Sequence, residues 1–145
     1  MNDQRVMRRT IYVGDSLHGL IASGRVLGET VSERIDRLAD RYTSMITDLV
    51  PTRWHVHDWL VIAQVISEVQ VARATDASVV SVRLRQLSKK PGASPETGAL
   101  AYRFENLKLA EQIAVIDVAE RAKQAEVATQ DAMSKWLAEQ SIQVG

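Results

Sequence analysis

The sequence predicts a mainly α-helical protein with one short strand near its N-terminus, and three observations carry that prediction. Apolar residues recur every three to four positions through most of the chain after residue 30, most sharply between Val31 and Leu49. Only Arg8–Val13 alternates with a period of two over β-prone residues. The stretch from Ala110 to about Gln140 is rich in alanine and glutamate, which form helices well.

The elements follow in order. After a polar lead-in, Ile11 and Val13 point to one side of the strand and Arg8, Thr10 and Tyr12 to the other. Gly14-Asp15 ends the strand, and Asp15 or Ser16 can cap a short helix carrying Leu17, Leu20 and Ile21. Gly19 weakens that helix and Gly24 ends it. Thr30-Val-Ser-Glu33 reads as a capping box opening the next helix. Val31, Ile35, Leu38, Tyr42, Met45 and Ile46 form its apolar stripe, extended by Ala39 and Leu49. Glu33, Arg34, Asp36, Arg37, Asp40 and Arg41 cover the opposite face.

Pro51 closes this first unit, so the expected boundaries are a module over about 7–50 and a helical extension over about 52–140. In the extension, Trp54–Ala74 reads as a helix apolar on two sides, as in one sandwiched between others. Asp76 or Ser78 caps a helix through Leu87. Lys89–Pro95 is a loop, and a short helix spans about Thr97–Leu107. Lys108-Leu109 marks a kink or break before one long helix from Ala110 to Gln140. No internal repeat is visible.

A lone strand of about six residues is not stable by itself. With no second good strand in the sequence, the economical partner is the same strand of a second copy, antiparallel across a two-fold axis. The expected assembly is therefore a homodimer or higher even oligomer. Its shared core would be Ile11 and Val13 from the strand and Ile35, Leu38 and Tyr42 from the long amphipathic helix.

Bulk properties narrow the function classes. An apolar fraction of 46% with 25% charged residues suits a folded globular chain. Net charge is zero, which argues against a free-standing non-specific nucleic-acid binder but leaves room for a local basic surface. Without cysteine there are no disulfides, thiol nucleophiles or thiolate metal sites. The N-terminus has no apolar core of a secretory signal, and the most apolar run, Leu60–Ala72, is too short and too polar to span a bilayer. These features point to a cytoplasmic, soluble protein without a membrane role.

The order strand, helix, glycine turn, helix within about forty residues resembles the ribbon–helix–helix family of DNA-binding proteins. The alternating Arg8–Val13 segment and Gly28-Glu-Thr-Val-Ser-Glu-Arg-Ile-Asp-Arg-Leu38 carry the resemblance, over about a third of the chain. It implies a dimer whose two strands form a ribbon in the major groove of double-stranded DNA. Arg8, Thr10 and Tyr12 would then touch base edges. Arginine can grip guanine through two hydrogen bonds, and threonine can donate to a base or meet a thymine methyl. The amides near Glu29, Thr30 and Val31, at the start of the second helix, would meet a phosphate. Three features depart from the family pattern: the carboxylate of Glu29 at that anion site, the bulk of Tyr12, and Gly14 in place of proline. The segment after Pro51 is more loosely similar to C-terminal regions of regulators carried by mobile elements.

Other residues support weaker readings. Residues 73–108 hold seven basic and three acidic residues, either a second phosphate-facing surface, a protein dock, or a solvated helix face. Residues 109–145 reverse that balance, with six acidic and three basic. His55 and His57 lie two apart, on nearly opposite sides of a helix, and cannot share a metal ion there. No nucleophile–base pair, phosphate loop or paired carboxylates stands out, so neither an enzyme nor a cofactor is expected. The expectation is a DNA-binding transcriptional repressor. The alternative is a helical interaction protein (adaptor, inhibitor or antitoxin) whose partner engages residues 52–140.

Overall fold

The structure is a computed structural model that describes residues 14–24 and 26–145. Among these residues it has seven α-helices and no strand. They are α1 (Asp15–Ser23), α2 (Val31–Leu49), α3 (Val56–Val71), α4 (Ala77–Ser88), α5 (Pro95–Glu105), α6 (Leu109–Gln124) and α7 (Gln130–Glu139). The fold is mainly α. The expected strand, with Arg8, Thr10, Ile11, Tyr12 and Val13, lies outside the described residues. The chain divides into two compact units at Tyr42/Thr43.

In the first unit α1 starts from Gly14, which has no side chain to cap it, rather than from Asp15 or Ser16. The connection to α2 is a turn in which the Glu29 amide donates to the Val26 carbonyl, 2.9 Å. Its third position, Gly28, has φ +82°, the left-handed backbone that favours glycine there. Thr30 caps α2 by accepting from the Glu33 amide at 3.1 Å. The other half of the expected box differs, because the Glu33 carboxylate meets the Thr30 hydroxyl.

The second unit is built around a continuous core. Trp54, Trp59 and Phe104 form its aromatic centre, with ring centroids 5.3 Å apart for Trp54–Trp59 and 6.5 Å for Trp54–Phe104. Ile62, Ile66, Leu84, Leu100, Met133 and Leu137 close around them, each buried. Of the residues that the sequence places on the two sides of α3, the first side is buried, whereas on the second Val65 is buried, Val61 partly so and Ala72, past the helix end, is exposed. Val65 lies with Ile62 and Ile66 in the core, and α3 packs against α4, α5, α6 and α7. In the loop between α4 and α5, the Ala93 amide donates to the Lys90 carbonyl. Pro91 and Gly92 (φ +81°) occupy the positions such a turn prefers for them.

The single long helix expected from Ala110 to Gln140 is two helices. α6 ends at Gln124 and α7 begins at Gln130. High helix propensity did not extend it because a stop signal is present without a glycine. Glu126 takes φ 57°, and Val127 donates back to the Ala122 carbonyl at 3.1 Å, a Schellman ending. Thr129 then caps α7 by accepting from Ala132. α3 and α7 end the same way, with Arg73 (φ 55°) and Ser141 (φ 60°) in the left-handed position.

α3 and α6 have the same length, and the starts of α3 and α4 lie 53 residues before those of α6 and α7, Val56 to Leu109 and Ala77 to Gln130, although α4 runs two residues longer than α7. Identity is confined to five pairs over residues 55–88, such as Val65 with Val118 and Leu84 with Leu137, too few to register by eye.

Candidate nucleic-acid interface

Of the residues expected at a DNA surface, Glu29, Thr30 and Val31 are described. Glu29 does not face outward as an isolated charge. Its two carboxylate oxygens accept from Arg37, Nε at 2.9 Å and Nη2 at 3.0 Å, and one also accepts from the Val26 amide at 3.2 Å. The Arg37 guanidinium, and after it the Val26 amide, hold this carboxyl at about 2, against an opposing push from partial burial. Arg37 also donates to the Gly24 carbonyl. The side chain that looked most hostile to an anion is thus neutralised within its own loop, and ties that loop to α2.

Arg34 and Arg37, read from sequence as part of a solvated face, both turn toward the α1–α2 connection. Arg34 is 3% exposed, and its guanidinium lies over Gly24 so closely that a Cβ there would overlap it. The signal in the sequence was indirect: a helix terminator with no side chain, ten residues before an arginine. Thr30 is an exposed cap, and Val31 is 49% exposed.

The expected shared core is left open in the single chain. Ile35 and Leu38 are half-buried, Tyr42 is 47% exposed and Met45 52%, whereas Ile46, one position on, is buried in the second unit. The apolar stripe of α2 is therefore covered at its C-terminal end and incompletely covered along the rest. Ile11 and Val13 lie outside the described residues.

Three of the seven basic residues of 73–108 are paired inside the body. Arg83 pairs with Glu68 at 2.6 Å, tying α4 to α3, and Arg85 pairs with Glu105, tying α4 to α5. Arg103 reaches the buried carboxylate of Asp58 at 3.2 Å, tying α5 to α3. The same Asp58 oxygen accepts from the His55 amide at 2.9 Å, so this buried charge has two donors. The two exposed pairs, Arg83–Glu68 and Arg85–Glu105, contribute on the order of 1 kcal/mol or less, but together with Asp58–Arg103 they occupy three guanidinium groups that would otherwise face a phosphate.

His55 caps α3 while His57 lies exposed one residue inside it. Among the described residues no three histidine, aspartate or glutamate side chains come together as metal ligands. A groove of about 580 Å³ runs along α3 past His57, Gln64, Ser67 and Lys123. His57 and Ser67 stand ten residues apart on one helix, about 15 Å, so they cannot act as a nucleophile and its base. No helix among the described residues is long and apolar enough to cross a membrane.

Comparison of this chain with models of known families, with curated proteins and with solved structures finds no match.

Proposed function

We propose that the chain is a homodimeric DNA-binding protein of ribbon–helix–helix type, acting as a transcriptional repressor. Two copies of Arg8–Val13 pair into a ribbon that enters the major groove. Arg8, Thr10 and Tyr12 read base edges there, and the amides at Thr30 and Val31 meet a phosphate. The observation that carries the reading is the unfinished apolar stripe of α2, with Val31, Tyr42 and Met45 each about half exposed on a sharply amphipathic helix. An apolar stripe of that length is costly to leave in water, and a second copy of itself covers it while supplying the missing partner strand. The internal pairing of Glu29 with Arg37 lends further support, because it removes an objection to a phosphate at the start of α2.

Arg8→Ala is expected to weaken binding to the operator by about 1–3 kcal/mol, roughly ten- to a hundredfold, without changing helix content. Anisotropy titration against a selected operator checks this, and unchanged affinity would remove Arg8 from the reading surface. The second reading is a helical interaction protein without a DNA role. It is favoured by the way Arg83, Arg85 and Arg103 are absorbed in internal pairs. Salt discriminates the two. DNA binding falls steeply as counterions compete, with log K linear in log salt, and a protein with no DNA role shows no saturable binding at low salt.

A further inference from the structure

We infer that α3–α4 and α6–α7 are two copies of one helical hairpin facing each other about a two-fold axis near Gln70 and Lys123. On this inference the surface of each hairpin is fitted to a second copy of itself.

The correspondence holds at every level along one offset. His55 and Lys108 precede their helices in extended backbone (ψ 164° and 152°), and neither is a usual capping residue. Each donates its amide to the carboxylate three positions on, Asp58 at 2.9 Å and Glu111 at 3.1 Å. The first helices close on Ala72 (φ −80°, ψ −1°) and Ala125 (φ −81°, ψ 4°), followed by Arg73 and Glu126 in the left-handed region. Ala74 and Val127 return hydrogen bonds to the Val69 and Ala122 carbonyls at 3.0 and 3.1 Å. Asp76 and Thr129 cap the second helices by accepting from Val79 and Ala132. Seven buried positions pair off too: Ile62 with Val115, Ala63 with Ile116, Val65 with Val118, Ile66 with Ala119, Val69 with Ala122, Val80 with Met133, and Leu84 with Leu137, while buried Trp59 and Ala114 answer to the partly buried Gln112 and Val61. Caps and Schellman turns are common one by one. The length of the first helix, the turn length, the backbone angles and most of the buried positions agreeing at one spacing is what identifies a repeated unit.

The packing supplies the symmetry. α3 lies against α6, α3 also packs on α7, and α6 packs on α4. Exchanging the hairpins maps the α3–α7 contact onto α6–α4 and the α3–α6 contact onto itself, as a two-fold requires and a head-to-tail stack does not. A residue near a two-fold axis meets its own equivalent. Lys123 Nζ donates to Gln70 Oε1 at 2.7 Å, and these two are equivalent positions. α5 breaks the symmetry by packing on α4 and α3, with no counterpart on α7 and α6. Where α4 has the partly buried Ala77, Val79 and Ser81, α7 has Gln130, Ala132 and Ser134, all exposed, as suits a helix with no α5 against it.

The test uses the full chain with its two turns exchanged, so that Arg73-Ala-Thr-Asp76 and Glu126-Val-Ala-Thr129 trade places. Equivalent turns predict unchanged helix content and a single melting transition displaced by no more than about 8 °C. Loss of that transition in a chain that still folds, seen as retained helix without cooperative melting, would overturn the equivalence. If the exchanged chain does not fold, superposing residues 55–88 on 108–141 in an experimental structure of the natural chain decides the matter. A rotation near 180° with paired Cα atoms closer than about one residue spacing, 3.8 Å, upholds the inference. A rotation far from that, or a larger separation, overturns it.

Discussion

The two units of this chain meet the same requirement, covering the apolar face of an amphipathic helix, in opposite ways. Up to Tyr42, Ile21 and Arg34 are the buried residues among those described, and the stripe of α2 stays half open. From Thr43 onward the core is closed, and α3 has helices on both sides. On the readings proposed above, the body holds both of its matching halves in one polypeptide, while the N-terminal module holds one half and takes the other from a second chain. Stability of the body would then be independent of concentration, and that of the module would follow it by mass action.

The largest expected effects probe the closed side of this comparison. Leu84→Ala and Leu137→Ala remove equivalent, fully buried side chains, and each should cost about 2–5 kcal/mol in urea unfolding. Similar losses for the two would sharpen the pairing of the hairpins, and a loss below 1 kcal/mol at either would break it. Next, Leu38→Glu places a charge in the half-buried stripe of α2. Dimerisation measured by sedimentation should weaken by more than about tenfold, while the melting of the body stays put. A variant that dimerises normally would move the interface elsewhere.

Smaller and of opposite sign, Arg73→Gly and Glu126→Gly relieve left-handed backbone at non-glycine residues. Each should stabilise the body by roughly 0.5–1 kcal/mol, the 1–2 kcal/mol of steric relief being offset by the lost chain entropy of glycine. Thermal unfolding of the two variants reads this, and destabilisation would contradict it. The smallest effect belongs to the module. The Glu29 carboxyl is held at about 2 against an ordinary value of 4.5, so its contribution is fully present above 4.5 and lost as pH falls toward 2. Glu29→Gln should flatten that acid-side dependence, as followed by hydrogen exchange of the amides at Val26 and Glu29.

Much of the helical order was legible in the residues, because it is written in local signals. The stripe of α2, the caps at Thr30 and Asp76, and the Lys90–Ala93 turn each depend on side chains within a few positions. What misled was also local: alanine-rich propensity around Glu126 hid a helix end that has no glycine to announce it. At the candidate interface, Glu29 read as a misplaced charge because its partner Arg37 lies eight residues away across a turn.

The amino-acid sequence by itself determined the fold class, since periodicity and capping act over one or two helical turns and leave a mainly α chain little alternative. Only the tertiary structure decided which charges are spent, which stripe is left uncovered, and that α3–α4 and α6–α7 match. Ion pairs such as Asp58–Arg103 join residues 45 positions apart. Equivalence between the hairpins resides in backbone angles and burial rather than in residue identity. A buried site accepts any apolar side chain of suitable volume, so Ile62 can answer to Val115 and Val80 to Met133, with nothing in the letters to show it.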